Sequence, residues 1–222
     1  MSKVWLVGIT ESKVEGAPTV NDLLAHIARV SNPQNQYNSE TSSRLLKYLV
    51  KHKHWSPFEM AHMVLGIDTT RDIARQMLRH RSFAFQEFSQ RYASADDLGF
   101  EKREARLQDP KNRQASIDVE DLELQKIWEG MQSESLRYAK RAYDWALTNG
   151  IAKEQARAVL PEGMTHSRLY MAGSIRSWIH YCDVRCDIST QKEHREVAQQ
   201  CKNILLEQFP ALQEILYENA VQ

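Results

Sequence analysis

The alternation of hydrophobic and polar residues predicts a mixture of strands and helices. Residues 3–9 and 169–173 are apolar runs of strand length, and residues 61–68 place an apolar side chain at every second position. Longer stretches repeat apolar residues every three or four positions, which indicates helices that bury one face. These predicted helices cover residues 19–28, 41–52, 119–147, 151–160, 174–186 and 190–209, with a last helix from residue 210. Three polar or irregular segments are predicted to be loops or short elements: residues 11–18, 32–38 and 93–117.

Residues suited to helix termini indicate where several helices begin. Thr19 and Asp22 have the spacing of a capping box. Residues 56–59 combine a serine N-cap, a proline at the first helical position and a glutamate three residues on, which predicts another helix start. Thr69 is predicted to cap a helix that continues into residues 75–81.

The longest predicted helix, residues 119–147, carries two apolar stripes. Residues 124–131 place their apolar side chains on one face, and residues 136–147 place theirs on another. The change of face predicts a bend or break near residues 133–135. Asn149-Gly150 is predicted to close the helix as a left-handed C-cap.

The bulk composition limits the classes to which the protein can belong. Its 222 residues, 42% hydrophobic and 26% charged, suit one globular domain spanning residues 1–222. No apolar run approaches the roughly 20 residues of a membrane span, and the N-terminus does not have the layout of a signal peptide. A formal net charge of zero disfavours a general nucleic-acid binder. The three cysteines have no zinc-site spacing and cannot all pair, which favours a reducing, cytoplasmic location.

Residues 75–92 mix charged and aromatic side chains densely: four arginines, a histidine, a glutamate, two serines and four aromatic rings. Because a guanidinium group forks onto phosphate oxygens and stacks on π-systems, this composition favours a site for a flat anionic ligand. The structural alternative is that residues 79–81 are cations in the last turn of a helix, where they offset the helix dipole. After residue 81 phenylalanines alternate with smaller or polar residues, which predicts extended chain or loop.

Helical geometry distinguishes Arg185 within the predicted helix 174–186. At ~100° per residue, Arg176 and His180 lie on a polar stripe, whereas Arg185 lies beside Trp178 at the edge of the apolar side. A guanidinium that faces a core must be paired or bind a ligand, because an unpaired buried charge costs several kcal/mol. Ligand binding and an intramolecular ion pair are therefore both open.

A histidine pair lies just before the predicted helix start at residues 56–59. The capping residues explain that segment but do not explain His54. His52 and His54 have a His-x-His spacing that suits a metal, yet no carboxylate or cysteine joins them at ligand spacing. A metal site is therefore the competing interpretation of His54, and no metal is expected.

The central segment resembles the signature of the flavin-dependent thymidylate synthases. That signature is Arg-His-Arg, seven residues, then Ser-x-Arg, and here it spans residues 79–91. Five fixed positions among thirteen make the pattern specific. The resemblance covers roughly residues 20–210 and includes four further matches in chain order: residues 28–31, residues 54–59, Ala156-Arg157 before Leu160-Pro161, and Arg176 followed nine residues later by Arg185.

The resemblance implies a fold, a reaction and an assembly. The expected fold is α+β and helix-rich, with an antiparallel β-sheet flanked by helices, the thymidylate synthase-complementing fold. The expected reaction is reductive methylation of dUMP to dTMP, with methylenetetrahydrofolate as carbon donor, reduced FAD as hydride donor and NADPH as reductant. The expected assembly is a homotetramer whose active sites are shared between subunits.

The resemblance also implies roles for particular residues. Arg185 is the expected catalytic residue. The residues expected to bind dUMP are Gln76, Arg79, Glu87, Ser89, Arg91, Arg157 and Arg185. The residues expected to bind FAD are Ser31, His54, Ser56, Arg79, His80, Arg81, Glu87, Arg176 and His180. The chain departs from residues common in the family at five positions: Ala84, Gln86, Ser174, His180 and Ser189.

The matched motifs contain no cysteine, so the expected mechanism has no thiolate nucleophile. Hydride delivery to C6 of uracil requires a cation near the uracil carbonyl group, and Arg185 is the candidate. Two other classes compete with this interpretation: an RNA-binding module that stacks bases on residues 75–92, and a non-enzymatic helical assembly protein. FAD that copurifies with the protein would distinguish the enzyme from both.

Overall fold

A computed structural model of the chain describes residues 2–213. The strands are β1 (Lys3–Ile9), β2 (His62–Thr70), β3 (Ala84–Glu87), β4 (Arg106–Gln108), β5 (Ser116–Asp118) and β6 (His166–Ser174). The helices are α1 (Val20–Ala28), α2 (Ser42–Lys51), α3 (Arg71–Met77), α4 (Leu122–Thr148), α5 (Lys153–Ala156), α6 (Ile175–Arg185) and α7 (Lys192–Gln208). The predicted α+β class, an antiparallel sheet flanked by helices, is confirmed.

The main sheet is antiparallel and has the strand order β1-β2-β6-β3. β2 and β6 pair along their whole length, from His62 opposite Ser174 to Thr70 opposite His166. β3 adds a short edge to β6, and β4 pairs with β5 in a separate hairpin. Because β3 follows residues 79–81 and β6 leads directly into α6, the sheet brings the Arg-His-Arg segment next to α6.

One face of the sheet forms the main core. Alternate side chains of β2 and β6 point into it and are fully buried: Met63, Leu65, Ile67, Leu169 and Met171. Helices α3, α6 and α7 contact the sheet or one another over this face. Trp178 of α6 is fully buried there, and its indole Nε1 donates to the backbone oxygen of Met63 at 3.0 Å.

The opposite face of the sheet carries a tryptophan that lies across its neighbouring strand. A Cβ atom at Gly66 would lie 2.3 Å from the ring of Trp5, so only glycine fits beneath this indole. Trp5 also meets Tyr170 edge-on, with the ring centroids 6.4 Å apart, and the Arg168 guanidinium lies 5.5 Å from its ring. The glycine of β2 is therefore explained by close packing.

Of the three helix starts predicted from capping residues, one is confirmed and two are wrong. The capping box of Thr19 and Asp22 is present at α1 and confirms that prediction. The cap of α3, however, is Thr70 and not Thr69. Residues Ser56–Glu59 form a single 3-10 turn whose N-cap is Trp55, so Ser56 is the first residue of the turn and not its cap. The turn cannot extend into a helix because β2 begins three residues later, at His62, and this strand occupies the centre of the sheet.

Several predicted helices have different bounds in the structure. α3 ends at Met77, so residues 79–81 lie in the turn beyond it. The helix predicted over residues 151–160 is α5 followed by a 3-10 turn, Arg157–Val159. The helix predicted from residue 210 begins as a 3-10 turn, Pro210–Leu212, and its remainder lies outside the described residues.

α4 is continuous over 27 residues, so of the predicted bend or break near residues 133–135 the break is wrong. Gly150 has a φ of 77°, which confirms the left-handed C-cap. The inner side of α4 meets a small second core: Tyr143, Ala146, Ala95, Ala156 and Leu160. Other large apolar residues of α4 face outward, among them Ile127, Met131 and Trp145 at 52%, 61% and 61% exposure. None of the helices among residues 2–213 is long and apolar enough to cross a bilayer.

Candidate active site

The last residues of α3 and α6 and the first turn of α7 meet in a polar cluster beneath the Arg-His-Arg segment. Arg185 donates from Nε to Nε2 of His80 at 2.8 Å. Gln76 lies close by and contacts Nδ1 of His194 through Oε1 at 3.2 Å. His194 in turn contacts the hydroxyl of Tyr181 through Nε2 at 3.1 Å. The cluster therefore contains three predicted site residues, Gln76, His80 and Arg185.

The partner of Arg185 in this cluster is neutral, so the positive charge of the guanidinium is not cancelled. Burial, the adjacent Arg185 cation and His180 lower the pKa of His80 to about 4, so its imidazole is neutral near pH 7. A neutral imidazole that accepts at Nε2 carries its proton on Nδ1. Among residues 2–213 the contact that Arg185 makes is this one, with no salt bridge to a carboxylate. The ion-pair alternative for Arg185 is thus wrong within the described chain.

α6 separates its polar and apolar residues as predicted. Arg176, His180 and Asp183 are exposed, whereas Trp178 and its apolar neighbours are buried. Arg185 is half-buried, between these two environments. The angular argument from the sequence therefore placed Arg185 correctly relative to the exposed stripe.

A second group of predicted residues lies where the segment after β3 approaches α5. Arg91 forms an ion pair with Glu154, Nε to Oε2 at 3.3 Å, and its backbone N–H donates to Oγ of Ser89 at 3.4 Å. Arg157 donates from Nε to the backbone oxygen of Glu154 at 3.4 Å. Because the Arg91 pair is exposed, it contributes little stability, and the guanidinium can exchange Glu154 for a ligand anion.

Glu87, at the end of β3, contacts the sheet and α3. Its Oε1 accepts from Oγ of Ser167 at 2.7 Å and lies 3.6 Å from Nη1 of Arg71. The carboxylate is half-buried and anchored by these contacts. Within the described residues, no hydrogen bond or ion pair joins Glu87 or the Arg91 group directly to Arg185.

The predicted flavin-side residues are mostly exposed polar groups. Arg176 donates from Nη1 to Oε1 of Glu59 at 2.7 Å, which ties the start of α6 to the Ser56–Glu59 turn. His180 lies one helical turn beyond Arg176 and is exposed. Five further members are exposed as well, whereas His80 and Glu87 are half-buried: Ser31, His54, Ser56, Arg79 and Arg81 are the exposed ones. Residues 2–213 contain no cluster of three or more side chains suited to holding a metal ion.

Sequence reasoning overlooked several residues of the site region. His194 and Gln191 contact Gln76, and the ring of Tyr181 meets that of His80 edge-on with the centroids 5.0 Å apart, although none of the three was proposed. Conversely, Arg29, within the matched segment 28–31, has a structural role. It is buried and donates from Nη2 to Oγ1 of Thr41 at 2.7 Å. One signal was available for His194, because it lies on the apolar stripe of α7.

The chain is an α+β protein in which a polar cluster that contains Gln76, His80 and Arg185 lies beside a helix-flanked antiparallel sheet. The sequence profile described as thymidylate synthase complementing protein matches residues 14–211, and the chain belongs to that family.

Similar proteins agree with this assignment. A probable flavin-dependent thymidylate synthase of Paramecium bursaria Chlorella virus 1 is 48% identical over 211 residues, 95% of this chain and 97% of the relative. A flavin-dependent thymidylate synthase of Synechocystis sp. is 49% identical over 203 residues, 91% and 92% of the two chains. The crystal structure of a UMP/dUMP methylase, PolB from Streptomyces cacaoi bound with 5-Br dUMP, superposes with a TM-score of 0.81 at 25% identity. That match covers 96% of this chain and 93% of PolB.

Proposed function

We propose that this protein is a flavin-dependent thymidylate synthase that methylates dUMP reductively to dTMP. Methylenetetrahydrofolate is the carbon donor, FAD is the cofactor and NADPH is the proposed reductant. Two relatives that are 48% and 49% identical carry this name, and the PolB structure is that of a UMP/dUMP methylase with a dUMP analogue. The structural observation that carries the proposal is the half-buried Arg185 cation. Its hydrogen-bond partner is the neutral imidazole of His80 and not a carboxylate.

Arg185 is the proposed catalytic residue. Methyl transfer to C5 of uracil requires negative charge to develop on the pyrimidine and its carbonyl oxygen. A preorganised cation stabilises that charge without having to reorganise during the reaction. Because Nε of Arg185 is engaged by His80, the Nη hydrogens stay available to a carbonyl oxygen. His80 therefore orients the guanidinium and leaves its charge uncompensated.

The flavin-side residues fit FAD by the chemistry of their donors. The exposed guanidinium groups of Arg79, Arg81 and Arg176 suit the pyrophosphate and the ring oxygens, and His54 and Ser56 add neutral hydrogen-bonding groups. FAD, when bound, supplies the redox chemistry of the reaction. The chain itself supplies orientation and positive charge. Ser31, His80, Glu87 and His180 complete the proposed flavin set.

The proposed dUMP residues fall into two groups, which supports an active site shared between subunits. Gln76 and Arg185 belong to the cluster with His80. Arg91 and Arg157 instead contact Glu154, and Ser89 contacts the backbone N–H of Arg91. Arg79 and Glu87 are the other proposed dUMP contacts. We propose that the first group of one subunit and the second group of another bind the same nucleotide.

The outward face of α4 supports self-association as a homotetramer. This 27-residue helix exposes Ile127, Met131 and Trp145 on one side, and clustered exposed apolar side chains are typical of protein–protein interfaces. A second copy of the chain is the proposed occupant of this face. Light scattering or sedimentation should give four times the chain mass of 25.8 kDa.

The cysteines are poorly placed for nucleophilic attack. Burial raises the pKa of the Cys201 thiol, and Cys182 is buried with a raised pKa because of its hydrogen bond with Cys186 and its burial. That same hydrogen bond lowers the pKa of Cys186, whose side chain packs against the main core. All three are free thiols, which supports the proposed cytoplasmic location. We also propose that residues 1–222 act as a single domain.

The function can be tested with purified protein. FAD should copurify and give the protein a yellow flavin absorbance, which neither an RNA-binding module nor a helical assembly protein would show. With reduced flavin under anaerobic conditions, dUMP and methylenetetrahydrofolate should oxidise the flavin and yield dTMP in a single turnover. A flavin-loaded protein that forms no dTMP from these substrates would contradict the proposal.

The role of Arg185 is tested by substitution in the same assay. Arg185→Ala should reduce single-turnover flavin oxidation about 100-fold, the usual cost of removing a preorganised charge-stabilising donor. Arg185→Lys should also be impaired because an ammonium lacks the planar fork. The control is Arg44→Ala, which removes an exposed guanidinium of α2 and should retain the wild-type rate. A wild-type rate for Arg185→Ala would eliminate the role.

A further inference from the structure

A chain of polar side chains runs behind the pair formed by His80 and Arg185. The Tyr181 hydroxyl contacts His194 Nε2 at 3.1 Å, and His194 Nδ1 contacts Gln76 Oε1 at 3.2 Å. Gln76 Nε2 then donates to Gln191 Oε1 at 2.7 Å, and Gln191 Nε2 donates to Glu193 Oε2 at 2.9 Å. The chain therefore joins α6, α7 and the end of α3, and one of its members is a proposed dUMP residue.

The carboxylate at one end determines the direction of every hydrogen bond in this chain. An ionised Glu193 can only accept, so Gln191 must direct its NH₂ group to it and its oxygen to Gln76. Gln76 must then direct its own NH₂ group to Gln191 and its oxygen to His194. His194 consequently donates from Nδ1, which leaves Nε2 to accept from the hydroxyl of Tyr181. One arrangement satisfies all four contacts, and it fixes the amide of Gln76 and the tautomer of His194.

His194 is suited to this role because it is neutral and enclosed. The side chain is fully buried in the first turn of α7. Burial, together with the charge of Arg185 and the proximity of His80, lowers the pKa of His194 to about 3. Near neutral pH it therefore has one N–H donor and one acceptor, as the chain of hydrogen bonds requires.

We propose that His194 is a positioning residue for substrate binding, whose Nδ1–H holds the Gln76 amide in the one orientation that presents it correctly to dUMP. This inference rests on the proposed function, in which Gln76 contacts dUMP. If the amide rotated by half a turn, its NH₂ group would face the His194 donor and its oxygen would face the Gln191 oxygen. Both contacts would then be repulsive, so the amide is locked.

Packing alone does not account for an imidazole at this position. An apolar side chain of similar size would fill the same space beside Val197 and Ala198 without the cost of burying two polar nitrogens. The contribution specific to histidine is a pair of hydrogen bonds of opposite sense. Substitutions that keep one bond and lose the other can therefore separate positioning from packing.

Asparagine and glutamine distinguish the two ring nitrogens. The side-chain amide of asparagine reaches the position of Nδ1, and that of glutamine reaches the position of Nε2. We expect His194→Asn to bind dUMP about tenfold more tightly than His194→Gln and His194→Leu, because only asparagine can still donate to Gln76. The measurement is dUMP affinity of the flavin-loaded proteins by calorimetry, after equal flavin content has been established. A packing role predicts the opposite order, since glutamine preserves more of the side-chain volume.

A double-mutant cycle links the effect to Gln76. In a Gln76→Ala background, replacing His194 by leucine should cause no further loss of dUMP affinity, because the amide to be positioned is absent. An undiminished further loss in that background would refute the proposal, as would a glutamine variant that binds dUMP at least as well as the asparagine variant.

Neutron diffraction of deuterium-exchanged crystals separates this inference from the proposed function. Deuterium should appear on Nδ1 of His194 in the wild-type protein, with or without nucleotide. Deuterium on Nε2 would refute the positioning chain whatever the substrate. A wild-type protein that carries deuterium on Nδ1 but does not bind dUMP would refute the proposed function and leave the hydrogen-bond chain intact.

Discussion

Acid should destabilise the folded protein through its buried neutral histidines, of which His194 gives the clearest prediction. Burial, Arg185 and His80 hold the pKa of His194 at about 3, against an ordinary value of 6.5. The unfolded chain binds a proton on this imidazole near pH 6.5, whereas the folded chain does so only near pH 3. The unfolded state therefore carries more protons between these values, and the free energy of unfolding falls as the pH is lowered across this window.

The magnitude follows from the width of the window. Each pH unit below the ordinary pKa reduces the free energy of unfolding by about 1.4 kcal/mol for one such group. Between roughly pH 6.5 and pH 4 the contribution of His194 amounts to about 3 kcal/mol. His194 has no solvent exposure, so little of this effect is lost to screening. Above pH 6.5 the contribution is constant, because both states are then neutral at this residue.

Urea unfolding at a series of pH values tests this prediction, with the wild-type protein and His194→Asn at one protein concentration because an oligomer's stability depends on it. The free energy of unfolding of the wild-type protein, minus that of His194→Asn, should fall by about 3 kcal/mol from roughly pH 6.5 to pH 4. His62→Asn is the matched control, because it makes the same substitution at an exposed imidazole outside the cluster. Parallel pH profiles for the wild-type protein and His194→Asn would show that His194 is not held neutral in the fold.

Three further predictions concern the flavin site, the mechanism and the sheet. Arg81→Ala should fold but lose FAD, because the loss of a guanidinium that binds the flavin costs ~1.5–3 kcal/mol; unchanged flavin absorbance per protein after gel filtration would remove Arg81 from the site. Replacing all three cysteines by serine or alanine should preserve methyl transfer in a folded, flavin-loaded protein, and a loss of turnover there would overturn the thiol-free mechanism. Gly66→Ala should lower the free energy of unfolding by ~1–3 kcal/mol, because its Cβ would meet the Trp5 ring at 2.3 Å. In a Trp5→Leu background, Gly66→Ala should lower the free energy of unfolding by less, and thermal denaturation measures both losses.

The elements predicted correctly from the sequence are those that local patterns specify. The alternation in residues 61–68 defined β2, and the capping box of Thr19 and Asp22 defined the start of α1. The Ser56–Glu59 turn has an equally good local signal, yet it stops after four residues because β2 needs the chain that follows. α4 exposes apolar residues that lie on its predicted stripes, and a local pattern does not show what would cover them. Local patterns therefore predicted that an element exists better than they predicted where it ends or what packs against it.

The sequence likewise located individual site residues but not the contacts between them. Helical angles placed Arg185 between the exposed and buried sides of α6, and the signature located His80. The hydrogen bond between them joins residues 105 apart in the sequence, and no periodicity could have predicted it. His194 had a weaker signal: it shares the buried stripe of α7 with Val197 and Ala198. A histidine on such a stripe indicates a buried polar contact, but the sequence alone does not identify Gln76 as its partner.

The contact between His80 and Arg185 explains why a histidine, and not an acid, suits the middle position of the Arg-His-Arg segment. A carboxylate there would hold the guanidinium more strongly, but it would also neutralise the charge that Arg185 needs in its proposed role. A protonated histidine would repel the guanidinium. Burial avoids both outcomes, because it lowers the pKa of His80 to about 4 and leaves a neutral acceptor for Nε of Arg185. The half-buried His80 thus holds Arg185 without neutralising its positive charge, as the proposed catalytic role of Arg185 requires.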